Sequence, residues 1–87
     1  MVQKGNKMLD ILKKRLIDGL TIISVKETNT KYHIVFEYEG DRAIADLPKS
    51  CAPGCQDIVA DNTIKTAMSY IYFKRCDYAM AKEWLYK

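Results

Sequence analysis

The stretch from Leu20 to Leu47 constrains this chain most, because its regularly spaced apolar residues share one face only when it folds as three antiparallel strands joined by two tight turns. Asn29-Thr30 and Gly40-Asp41 read as the two-residue loops. Asparagine tolerates positive φ in the first, and glycine at the first central position of the second suits a type II′ turn. That pairing sets Val25 opposite Ile34, Ile23 opposite Phe36 and Thr21 opposite Tyr38. Across the second hairpin Ile34 meets Leu47, Phe36 meets Ala45 and Tyr38 meets Ala43. The two turns are chosen independently and agree on which face is apolar.

Amphipathic segments flank the strands. After Asn6, a good N-cap, the pattern predicts a helix running to Gly19, with Lys13, Lys14 and Arg15 near the carbonyl end, where the helix dipole favours cations. At about 100° per residue Met8, Leu9, Leu12 and Leu16 form one stripe, with Lys4, Lys7, Lys14 and Arg15 on the other side. This helix is expected to cover the apolar face of the sheet, where Ala43 and Ala45 leave room for close approach. Pro48 to Cys55, with two prolines and a glycine, reads as a loop. From Gln56 to Lys87 there is no Gly or Pro, and Ala60, Ile64, Ala67, Met68 and Ile71 make a helical stripe. Asp77 is placed to cap a separate last helix, Tyr78 to Tyr86, although one continuous helix also fits. The expected fold is therefore α+β: an N-terminal helix, a three-stranded antiparallel meander, and one or two C-terminal helices packed on one sheet face.

At 87 residues there is room for a single domain, residues 1–87, with one small core and much exposed surface. No apolar run approaches the roughly 20 residues needed to cross a bilayer, and the first residues are charged rather than built like an export signal. A cytoplasmic protein is expected, with no membrane partner, and its three cysteines are expected to stay reduced. The net charge of +3 is mild, and the excess sits in residues 1–19.

Six of the nine aromatic residues lie in the last third: Tyr70, Tyr72, Phe73, Tyr78, Trp84 and Tyr86. On a continuous helix Tyr70, Phe73, Met80 and Trp84 fall opposite Ile64, Met68 and Ile71, so both sides cannot rest on the same sheet. Either the last helix folds back or packs on the first helix and completes the core, or part of this Tyr, Met and Trp surface docks a partner, a use for which these residue types are well suited. Ile22, Val35 and Ile44 fall on the outward face of the sheet among Lys26, His33, Glu37 and Arg42, and form a second candidate contact surface. That sheet face would also serve a homodimer.

The alternative partner is nucleic acid, gripped by Lys7, Lys14 and Arg15 of the first helix with Lys74 and Arg75 beside the C-terminal tyrosines. The element order is similar to that of double-stranded RNA-binding domains. Those carry a lysine cluster at the start of the second helix, where this chain has Asp57 and Asp61, and carboxylates there repel phosphate. Asp46-Leu47-Pro48 followed by Asp61 to Ala67 resembles the strand-to-helix stretch of HicB-type antitoxins, without their glycine after the proline and with a preceding helix that they lack. Cys51, Cys55, Cys76 and His33 supply the ligand types of a zinc site, but the C-x3-C spacing is a weak signal.

A lone histidine without a companion nucleophile, scattered carboxylates and no glycine-rich phosphate loop give no catalytic signature and imply no cofactor. The expectation is a small non-enzymatic binding protein acting on another protein. Its helix, sheet, helix order is similar to that of several phage-encoded inhibitors, anti-CRISPR proteins among them, which is analogy at the level of fold.

Overall fold

The computed structural model describes residues 4–87. The elements run α1 (Lys4–Lys14), β1 (Leu20–Glu27), β2 (Lys31–Tyr38), β3 (Asp41–Pro48), α2 (Gln56–Lys74) and α3 (Tyr78–Leu85). The three strands form one antiparallel sheet in the order β1-β2-β3. Both C-terminal helices lie on one face of it, α2 directly and α3 through α2. This is the expected α+β architecture, with two C-terminal helices rather than one. No helix among the described residues is long and apolar enough to cross a membrane.

The first hairpin turns at Asn29-Thr30 as expected, and Val25 stands opposite Ile34. Further along β1 a bulge at Ile23 shifts the register by one, so Ile22 faces Phe36 and Leu20 faces Tyr38. The regular register would have turned Thr21 inward. The bulge replaces it with Leu20, which is buried, and brings Ile22 against the core while Ile23 is left exposed. Burial of a leucine in place of a threonine is the gain that an unbroken alternation would forgo.

The second hairpin turns one residue earlier than expected, at Glu39-Gly40, so Tyr38 pairs with Asp41, Phe36 with Ala43, Ile34 with Ala45 and Tyr32 with Leu47. Both central residues have positive φ, 51° at Glu39 and 86° at Gly40, the signature of a type I′ rather than a type II′ turn. Moving a two-residue turn by one position changes every cross-strand partner by two. Side chains alternate with a period of two, so the apolar face is unchanged.

The helix α1 begins by Lys4 and includes Asn6, which is therefore not its cap; the placement of the Lys4 side chain lies outside the described residues. It stops at Lys14, five residues short of Gly19. The chain then bends so that Leu16 and Ile17 pack against the core, and Gly19 adopts φ of 87°. A Cβ at Gly19 would lie 3.3 Å from the Tyr38 ring, so both backbone and space favour glycine here.

The core joins Met8 and Leu12 of α1, Leu20, Tyr32, Ile34, Phe36, Ala43, Ala45 and Leu47 of the sheet, and Ala60, Ile64, Ala67, Met68 and Ile71 of α2. The element seated on the small residues of β3 is α2. The expectation that the N-terminal helix would cover the sheet is corrected, since α1 packs mainly on α2 and reaches only the β3 side. Buried Thr63 ties α2 to β3, its hydroxyl 3.1 Å from the Asp46 carbonyl oxygen. The α1 end is fixed to α2 by Arg15, whose Nε and Nη2 donate to the two oxygens of Asp61 at 2.6 and 2.9 Å. Asp57 lies 3.6 Å from the same guanidinium. The carboxylates at the start of α2 thus serve α1.

Two outcomes follow. Glu39 is a non-glycine residue in the left-handed region, where asparagine is better accommodated. Glu39→Asn should raise unfolding free energy by about 0.5–1 kcal/mol despite losing an exposed ion pair with Arg75, as read by urea denaturation. Arg15 hydrogen bonding holds the Asp61 carboxyl below its ordinary 3.8. A lowered carboxylate pKa adds stability that is complete above the unfolded value and is lost as pH falls through the folded one. Asp61→Asn should therefore destabilise at pH 7, by less than about 1 kcal/mol because both side chains are more than a third exposed. The gap to the parent should close in melts taken well below pH 3.8.

Candidate protein-docking surface

The surface at the C-terminal end is made by a sharp reversal between α2 and α3. At the end of α2 the Arg75 amide still reaches the Ile71 carbonyl, and Cys76 then takes φ of 59° and breaks the spiral. Asp77 restarts it: its side chain accepts a hydrogen bond from the Met80 amide at the first turn of α3. Arg75 fixes this corner to the β2–β3 hairpin. Its Nε donates to Asp41 and its Nη1 to Glu39, and the guanidinium lies 5.8 Å and 5.3 Å from the Tyr38 and Tyr72 ring centres. Asp41 and then Glu39 push the Arg75 pKa above its ordinary value, while burial pushes the Tyr72 phenol up.

The α3 helix folds back on the side of α2 that faces away from the sheet. Ser69 lies about 180° around α2 from Ala60, at about 100° per residue, and is nevertheless buried, as is Ala81 of α3. These small side chains are the floor of a groove of about 200 Å³ between the helices. Its walls are Phe73 and Tyr78 toward the corner, Leu85 and Tyr86 toward the other end, and Lys82 between them. The Phe73 and Tyr78 rings meet edge to face, 5.3 Å apart at 81°. Phe73, Tyr78 and Leu85 are each more than half exposed and Tyr86 is 81% exposed. A shallower hollow lies on the far side of Lys82 and Tyr86, lined also by Ala79, Glu83 and Lys87.

The four aromatic and apolar residues drawn from a continuous helix separate into two kinds. Tyr70 and Phe73 are exposed on α2, and only Phe73 lines the groove. Met80 and Trp84 belong to α3 and are half-buried, with Trp84 packed against the core and its Nε1 enclosed without an acceptor among the described residues. The Lys87 ammonium stands 4.8 Å over the Trp84 ring. The last helix folding back and an exposed aromatic surface, framed above as alternatives, are both present. Tyr78, Leu85 and Tyr86 were missed as site residues because a continuous helix puts them out of phase with Phe73. The usable signal was Asp77, since a cap restarts the helical phase.

On the sheet, Ile22 does not belong to the outward set, because the bulge turns it against the core. Val35 and Ile44 pair directly on the uncovered face, Val35 half-buried and Ile44 60% exposed. The basic residues are also divided. Lys7 and Lys14 are exposed, whereas Arg15 and Arg75 are held in carboxylate pairs and the Lys74 ammonium donates to the Arg42 carbonyl. Among the described residues no three His, Cys, Asp or Glu side chains are gathered where they could hold a metal ion, so Cys51, Cys55, Cys76 and His33 are not brought together. The His33 Nδ1 instead lies 2.5 Å from Asp46, and this hydrogen bond, aided by Lys31, holds the Asp46 carboxyl below its ordinary range against the opposing effect of burial.

No protein-family model, curated protein or solved structure matches this chain.

The division of the aromatic residues predicts a split in thermal and urea melts. Trp84→Ala should cost about 2 kcal/mol, somewhat less than a fully buried tryptophan. Tyr86→Ala should stay within about 0.5 kcal/mol of the parent, and Phe73→Ala should cost about 1 kcal/mol through the lost ring pair.

Proposed function

We propose that this chain is a small non-enzymatic binding protein that works through protein–protein contacts, with the groove between α2 and α3 as its principal docking surface. The observation that carries the reading is the clustering of Phe73, Tyr78, Leu85 and Tyr86, all exposed, around one apolar groove on a chain of 87 residues. Scattered exposed hydrophobics are ordinary on a small protein, whereas a contiguous set around a concavity marks an interaction site. Large rings held at the ends of two helices supply contact area at low entropic cost. A secondary contact through Val35 and Ile44 on the open sheet face fits the same reading.

Non-catalytic character is supported by the placement of the single histidine, which lies on the open sheet face paired with Asp46 and far in sequence from the groove residues. An inhibitor encoded by a mobile element, such as an anti-CRISPR protein, is one form such a binder takes, and the helix, sheet, helix order supports it by analogy alone. The pairing of Arg15 and Arg75 with carboxylates favours a protein partner over nucleic acid, because those guanidiniums are already satisfied within the chain.

Capture from native lysate at rising salt tests this. The expected outcome is a protein that stays bound from low to moderate salt and is lost when Phe73→Ala and Tyr86→Ala are combined in a variant that still melts cooperatively. Recovery of nucleic acid that falls away steeply with salt, undiminished by that variant, would reject the proposal.

A further inference from the structure

Tyr78, Lys82 and Leu85 of α3 and Tyr86 at its C-cap follow one another at spacings of four, three and one, which places them on one helical face spanning about 12 Å at 1.5 Å per residue. Phe73 faces this row from α2 across a floor of Ser69 and Ala81. The length matches that of a helix that sets apolar anchors at i, i+3, i+4 and i+7, about 10 Å from first to last. The groove volume of about 200 Å³ is below the ~300–1,000 Å³ of sites that enclose a small molecule, and is on the scale of a receptor for anchoring side chains.

Charge selects among helices. Lys82 stands in the groove wall and has no carboxylate within ion-pair distance among the described residues. Lys87 does not add to this charge, since its ammonium stands over the Trp84 ring and it lines the hollow on the other side of Lys82. Glu83 lines the hollow on the other side of Lys82, outside the groove, and Asp77 is committed to capping α3. The groove is thus apolar within, with one cation, Lys82, among its lining residues.

Resting on the docking reading above, we propose that the α2–α3 groove receives an amphipathic helix of a partner protein whose apolar anchors are flanked by Asp and Glu. A second copy of this chain is disfavoured in the same seat, because two such grooves face to face would oppose Lys82 to Lys82. Single-stranded nucleic acid is a poorer occupant, since a phosphate backbone needs several cations in its footprint and the groove lining supplies Lys82 alone.

The probe is a helical peptide with leucines at i, i+3, i+4 and i+7 and glutamate elsewhere, compared with a twin carrying lysine for glutamate and with oligo-dT. Binding is followed by amide chemical shifts of the 15N-labelled chain. The acidic peptide should shift Phe73, Tyr78, Ala81 and Leu85 and bind about tenfold more tightly than its twin. Lys82→Glu, on an exposed position, should reverse that order, and Leu85→Asp should abolish acidic-peptide binding with the cooperative melt retained. Equal binding of the two peptides, binding of neither, oligo-dT shifting these amides at lower concentration, or an unchanged order in Lys82→Glu would each overturn the proposal. Lysate capture that Phe73→Ala with Tyr86→Ala abolishes but Lys82→Glu leaves intact rejects the acidic helix and spares the docking reading. Capture that neither change reduces rejects both.

Discussion

The close seating of α2 on β3 is the constraint on which the rest of the molecule depends. Ala43 and Ala45 on the strand and Ala60 and Ala67 on the helix are all buried, so the two backbones approach without large side chains between them. Ile64, Met68 and Ile71 then fill the flanks against Ile34, Phe36 and Leu47, where dense packing gains dispersion energy as well as removing apolar area from water. The position of α2 in turn settles what its neighbours do. Arg15 ties α1 to its first turns, Arg75 ties its last turn to the β2–β3 hairpin, and Ser69 offers the opposite side to α3.

Because α2 is engaged on both sides, it acts as the central layer of the fold. Its outer cover is short: α3 has eight residues and among them only Ala81 is fully buried. A two-turn helix cannot shield the whole outer face of a nineteen-residue one, so Phe73 stays open and the rings of Tyr78 and Tyr86 gather beside it. The groove follows from this mismatch in length, with alanine and serine as its floor. Shape comes from what α3 leaves uncovered, and charge from Lys82, which has no carboxylate within ion-pair distance among the described residues.

Much of the fold was legible in the pattern of residues, and the departures have local causes. The apolar face of β2 and β3 survived an error of one residue in the turn, since a two-residue change of partner preserves side-chain alternation. Ile22 was placed on the wrong face because a bulge is a choice between burying Leu20 or Thr21, decided by the partner strand and not by β1 itself. The end of α1 was overextended because Leu16 continues the apolar stripe in either conformation, and only the packing of Ile17 and the turn at Gly19 show that the helix has stopped. Of the candidate site, Phe73 was identified directly. Trp84 and Met80 were placed in the right region but on the inner side of α3, and Tyr78, Leu85 and Tyr86 emerged only after Asp77 had reset the helical phase.

What the residue order determined by itself was the set of elements and their apolar faces: a meander between helices, a capping residue at Asp77 that left one or two C-terminal helices open, and a surplus of aromatic residues in the last third. Those properties depend on neighbours a few positions apart, through strand alternation, helical period and capping chemistry. Only the tertiary structure decided which helix lies on the sheet, which cations are neutralised and which rings remain open. Arg15 and Asp61, or Phe73 and Leu85, become neighbours through the packing of whole elements, and burial is a property of that packing and not of any segment read alone.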